Sequence, residues 1–159
     1  MDRIATMLRS YGSYHRDPRN RMTHYVGVPL ISYAVLAALA LVGWPQPSWL
    51  PLDRLVLAVL ALLYLYWDLR LGLMLTGLLV ALAALAECTT RLGVGATQGI
   101  AAAAFIGGWA MQLLGHRLEG NRPALLDNLR QILVAPMYLT AELAFALGWR
   151  TALRAAILR

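Results

Sequence analysis

Long apolar runs, broken by short clusters of Gly, Pro and charged residues, divide this chain into a regular series. The first run spans about Tyr25 to Val42, near the lower end of the length a helix needs to cross a bilayer. It exits through the Gly43 to Pro51 stretch, where helix breakers stand beside Trp44 and Trp49, residues that settle at membrane interfaces. The second run, about Leu52 to Trp67, ends in Tyr64, Tyr66 and Trp67, and Asp68 and Arg70 mark a tight turn. The third, about Leu71 to Ala86, ends at Glu87 and Arg91. Gly93, Gly95 and Gly99 loosen the next turn, and the fourth run covers about Ile100 to Leu114. Several runs are short, which predicts tilt or partial interfacial burial rather than upright rods.

The flanks read differently. Met1 to Thr23 is too polar and charged for a signal-peptide core. Ile4, Met7, Leu8 and Tyr11 recur at helical spacing, so a short interfacial helix is expected there. Pro18 interrupts any helix through this region, because it lacks the amide hydrogen and clashes with the preceding turn. Beyond the fourth run, Asn121 is placed to cap a helix and Pro123 suits its first turn. Asn128, Gln131, Ala135 and Glu142 then fall near one line at helical spacing, and Pro136 predicts a kink. Such a stripe either seals a bundle by hydrogen bonds or carries Glu142 toward the histidine end. The expected fold is all-α: one integral membrane domain over 1–159, with about four spanning segments, an N-terminal interfacial segment and a kinked C-terminal helix.

Composition agrees. The chain is 60% hydrophobic and only 14% charged, with mean hydropathy +0.59. That is more apolar surface than a soluble chain of this length can hide. All 14 basic residues are arginine; against eight acidic residues the net charge is +6. No basic patch is interleaved with stacking aromatics, so nucleic-acid binding is not expected. The arginines flank the apolar runs instead. Four crossings place Arg3, Arg9, Arg16, Arg19, Arg21, Arg70, Arg117 and Arg122 on the N-terminal side, against Arg54 and Arg91 opposite. The positive-inside rule makes the N-terminal side cytoplasmic. The single Cys88 permits no internal disulfide and reads as a packing residue.

The chain has three histidines, His15, His24 and His116, each at the edge of an apolar run. The same four crossings bring all three to one membrane face. His15 and His24, nine residues apart, would lie on opposite sides of an unbroken helix. With Pro18 between them the chain can turn back and present both rings to one point. A single interfacial histidine is usually structural; three on one face suggest a metal site. A histidine set with no thiolate suits Fe(II) or Zn(II) better than Mg(II) or Ca(II). Zinc motifs such as HExxH are absent. Three readings follow from the residues: an iron enzyme, a zinc-dependent membrane hydrolase, or a non-enzymatic scaffold in which histidines and polar stripe only hold helices together.

The pattern Tyr14-His15, Pro18, Asn20, His24, Val28-Pro29 resembles the membrane 2-hydroxy fatty acid dioxygenase family of fatty-acid α-oxidation. So does Trp109, Gln112, Gly115-His116, Arg122-Pro123-Ala124-Leu125, Asp127-Asn128-Leu129, Gln131, Ala135-Pro136 and Glu142. The resemblance covers nearly the whole chain in order, and the block from Gly115 to Pro136 is its specific part. It implies an Fe(II) enzyme that shortens 2-hydroxy fatty acids by one carbon using O2, with release of CO2. On that chemistry His15, His24 and His116 would hold the metal, with Asn20 and Asn128 orienting the imidazoles and Glu142 either orienting them or ligating the metal. Arg16 or Arg122 would pair with the substrate carboxylate. Many members carry a second histidine where this chain has Arg16, which bears on a fourth ligand and on substrate range. Heavy use of Ala, Leu and Arg without Lys fits a GC-rich bacterial genome, hence an inner membrane, or the endoplasmic reticulum in a eukaryote.

Overall fold

A computed structural model describes residues 3–42, 51–120 and 130–158. Trp44, Trp49, Asn121, Arg122, Pro123 and Asn128 lie outside the described residues. Seven helices and no strands occur among the described residues: α1 (Arg3–Gly12), α2 (Pro18–Ala40), α3 (Leu52–Trp67), α4 (Leu69–Thr90), α5 (Val94–Glu119), α6 (Arg130–Ala146) and α7 (Thr151–Leu158). The fold is a polytopic helical membrane bundle. α2, α4 and α5 are long and apolar enough to cross a bilayer. α3, expected as a span, has 16 residues, about 24 Å of helix, short of the roughly 30 Å hydrocarbon core. Leu62, Leu73 and Ile106 stand exposed on α3, α4 and α5, as lipid-facing side chains do.

Helix ends explain where the elements differ from the apolar runs. α2 starts seven residues before the first run because Pro18 occupies its first turn, where a missing N–H costs nothing. Asp17 caps it by accepting from the Arg19 backbone N–H at 2.8 Å. The polar stretch Arg19 to His24 is therefore helical. α5 likewise continues past Leu114 to Glu119, so His116 sits inside its last turn rather than beyond its end. The segment expected to form one kinked helix is instead two. α6 runs unbroken through Pro136, and a turn at Leu147–Gly148 redirects the chain by 117° into α7. There the Trp149 N–H reaches Ala144 O and the Gly148 N–H reaches Phe145 O. That bond pair ends a helix through a left-handed residue, here Gly148 with φ 76°.

α2 and α5 pack most extensively, side by side and antiparallel. A Cβ on Gly27 would stand 2.8 Å from Gly108 O, and one on Gly108 would stand 2.9 Å from Gly27 O. Small residues at this crossing let the backbones touch, the usual device for joining helices in lipid. One turn pair further on, a Cβ on Gly115 would collide with Thr23 Oγ1 and Asn20 Oδ1. α3 and α4 form a hairpin whose turn is closed by Asp68, which accepts from the Arg70 and Leu71 N–H groups at 3.0 Å. α1, α6 and α7 cover the end of the bundle where α2 begins and α5 finishes. Ile4, Ala5, Leu8 and Tyr11 of α1 join Met137, Tyr138 and Leu153 in the main core there.

Candidate metal centre

His15 lies in the link between α1 and α2, His24 in the second turn of α2, and His116 in the last turn of α5. The antiparallel α2–α5 pair brings the latter two together, and the turn ahead of Pro18 folds His15 back onto them. All three are buried, at 2%, 3% and 5% exposure. Each offers a ring nitrogen, and these atoms all lie within 4.8 Å of one another. Ring centroids stand 4.5 Å apart for His15–His24, 4.9 Å for His15–His116 and 5.0 Å for His24–His116.

The hydrogen bonds fix which nitrogen is free. His15 Nδ1 donates to Tyr11 O at 2.8 Å, and His24 Nδ1 donates to Asn20 O at 2.9 Å. A carbonyl oxygen can only accept, so both rings hold their proton on Nδ1 and turn the Nε2 lone pair inward. These two Nε2 atoms are 3.1 Å apart. Two inward lone pairs at that distance repel unless a cation lies beside them. Burial pushes the His15 imidazole down to about 4, so a proton does not supply that cation at neutral pH. A first-row metal does fit: nitrogens about 2.1 Å from one ion, set at right angles, stand about 3.0 Å apart. His116 Nδ1 is buried with no hydrogen-bond partner among the described residues, a further nitrogen left over for a ligand. Neutral imidazoles without thiolate or carboxylate suit iron or zinc.

The surroundings hold the rings still. The Tyr11 ring stacks on His15 at 4.1 Å and 8°, and Tyr138 leans on Tyr11 at 4.9 Å. Asn20 is fully buried. Its main-chain oxygen orients His24, and its side-chain Nδ2 donates to Tyr14 O at 3.4 Å and to Glu119 Oε2. No sequence motif points to Glu119. Its carboxylate accepts from the backbone N–H groups of Arg16, at 2.5 Å, and Asp17, at 3.0 Å, as well as from Asn20. It thereby ties the His15 link to the helix that carries His116. A signal was available: an acid in the last turn of a helix opposes the macrodipole and so needs a compensating partner.

Glu142 is at the histidine end but outside the three-histidine group. Its carboxylate is taken up by Arg21 Nη1 at 3.0 Å, Tyr25 OH at 2.8 Å and Tyr138 OH at 3.1 Å. Arg21 and Tyr25 share a face of α2 next to the Asn20–His24 face, and the guanidinium draws the acid there. The expected polar stripe is split accordingly, with Gln131 and Ala135 facing the histidine cavity and Glu142 a separate hollow. Arg16 is exposed directly after His15. The cavity beside the rings measures about 110 Å³ and is walled mainly by apolar side chains, among them Val28, Ile31, Trp109 and Ile132.

Comparison with known proteins follows the same residues. Residues 1–147 match the Mpo1-like family, described as 2-hydroxy-palmitic acid dioxygenase Mpo1-like. The 2-hydroxy-palmitic acid dioxygenase MPO1 of Saccharomyces cerevisiae is 33% identical over 156 residues, which is 97% of this chain and 87% of the yeast protein. No solved structure matches the chain. With all three histidines inside the matched span, and a match running almost from end to end, the chain belongs to the Mpo1-like family.

Proposed function

We propose that this protein is a non-haem iron dioxygenase that shortens 2-hydroxy fatty acids by one carbon, releasing CO2. The observation that carries the reading is the set of three buried imidazoles, two with lone pairs directed inward, beside an apolar cavity in a membrane bundle. The name of the yeast relative supports the substrate class. His15, His24 and His116 hold the metal. Iron bound there would supply positions for O2 and for the carboxylate and hydroxyl oxygens of the acid, and would activate O2 for cleavage between C1 and C2. The chemistry balances without an external reductant: one acid and one O2 give CO2, water and the acid one carbon shorter.

The chain's own residues do the rest. The Tyr11 and Asn20 carbonyl oxygens keep His15 and His24 in the metal-binding tautomer. Asn20 and Glu119 hold the His15 link against α5. Glu142 orients Tyr138, and through it the Tyr11 ring that stacks on His15. Arg16, exposed beside His15, or Arg122 pairs with the incoming carboxylate, and Asn128 supports the rings. The apolar walls exclude water from the reacting carbons. The site faces the cytoplasm, in a bacterial inner membrane.

The test is anaerobic Fe(II) loading of detergent-purified protein, then addition of O2 and a 2-hydroxy fatty acid, with product mass and O2 uptake measured. The expected product is the acid one carbon shorter, with one CO2 formed per O2 consumed. Bound zinc with no O2 uptake would favour the membrane hydrolase, and no bound metal the scaffold.

A further inference from the structure

We propose that the groove between α2, α4 and α6 is the acyl-chain subsite of this enzyme, entered from the histidine cavity past Val28, Ser32 and Pro136. The inference rests on the dioxygenase reading for its ligand, and on the geometry of two adjoining hollows for its place. The histidine cavity, at about 110 Å³, is small beside the roughly 300–1,000 Å³ that encloses a drug-sized ligand. It has room for the carboxyl end of a long-chain acid and not for the tail. A second hollow of about 200 Å³ adjoins it. Val28, Ser32 and Pro136 line both, so the two meet at those three side chains.

The second hollow presents hydrocarbon. α4 contributes Leu75, Leu78, Leu79 and Leu82, and α6 contributes Leu139 and Leu143. Two of its hydroxyls are already engaged: Thr140 donates to Pro136 O at 2.8 Å, and Tyr25 donates to Glu142 at 2.8 Å. Pro29 and Leu82 also line a further apolar hollow that reaches Tyr33 and Thr89, whose side chains join at 3.0 Å. From His24 to Tyr33 the track follows α2 for nine residues, about 14 Å. A polar head held at the histidines and an apolar track leading away from them fit a long-chain 2-hydroxy acid. Two other hollows near the site end are unlike this one, each having two arginines in its lining.

A 2-hydroxy fatty acid bearing a diazirine near its terminal methyl tests the proposal directly. It is bound anaerobically to the Fe(II)-loaded protein in detergent, irradiated, and the labelled residues are mapped by mass spectrometry. Label is expected on α4 between Leu75 and Leu82 and on α6 near Leu139 and Leu143, and excess unlabelled 2-hydroxy acid should suppress it. Leu82→Trp should cut that competed labelling on the order of tenfold, as displacement of about two buried methylene groups would. Ile106→Trp, on the lipid face of α5, should leave it unchanged. Label concentrated at Ile106, or label in the groove that unlabelled acid does not compete, would overturn the subsite. Competed groove label without turnover on O2 addition would keep the subsite and overturn the dioxygenase reading. Turnover without groove label would do the reverse.

Discussion

Replacing Glu119 with Ala leaves the Arg16 and Asp17 N–H groups and the Asn20 amide without their shared acceptor. Iron affinity should fall about 10–100-fold, the usual effect of losing a group that orients metal ligands. Titration of the purified variant with Fe(II) checks this, and unchanged affinity would remove Glu119 from the site's support. Glu142→Gln should behave differently. Its carboxylate serves Arg21, Tyr25 and Tyr138 rather than a histidine, so iron should stay bound. Stability should drop by about 1 kcal/mol, since the Arg21 pair is partly open to solvent. Iron lost together with activity would instead make Glu142 a ligand. Individual residues were unevenly legible in the sequence. The histidines stood out because each marks the edge of an apolar run. The Glu119 clamp did not, because its partners lie about a hundred positions earlier and only the folded chain brings them within reach.

At the level of helices, the α2–α5 crossing positions His24 against His116. Gly108→Leu should be costly, since its first side-chain carbon would stand 2.7 Å from Ile31 Cγ1 and 2.9 Å from the Gly27 backbone oxygen. Backbone cannot yield, so a loss of about 1–3 kcal/mol is expected from overpacking, with weaker iron binding because the two rings move apart. Gly107→Leu is the control, having nothing within 4 Å; it should leave both properties unchanged. Thermal unfolding in detergent and Fe(II) titration report the two effects. Hydropathy located the α2, α4 and α5 spans but not their ends, and it also marked α3, which is shorter than the hydrocarbon core is thick. It stops at the first polar residues, whereas α2 and α5 continue through Arg19 to His24 and on to Glu119 because Asn20, Arg21, His24 and Glu119 find partners in the bundle, while Arg19 and Arg117 stay at its surface. The α6–α7 break is illegible in the sequence for a related reason. Pro136 reads as the helix breaker, while Gly148, which permits the left-handed turn, is the residue that ends the helix.

Across the whole molecule, a shared three-histidine site requires the α1–α2 link and the end of α5 to lie on one side of the membrane, with the start of α3 and the end of α4 opposite. Arg54 and Glu87, which pair at that other end, agree. In a Cys88→Ser background, Ser13→Cys and Arg117→Cys should label from the cytoplasmic side, and Arg91→Cys from the other. Opposite sidedness for the first two would separate His15 from His116 and end the shared site. The central claim is that His15, His24 and His116 bind one iron together, and metal content per chain measures it most directly. After anaerobic Fe(II) loading, the intact protein should carry one iron per chain. Each single His→Ala variant should carry almost none and be inactive, and double variants should lose little more, because the three rings act as one unit. Iron retained in the single variants, with partial and additive losses of activity, would contradict it.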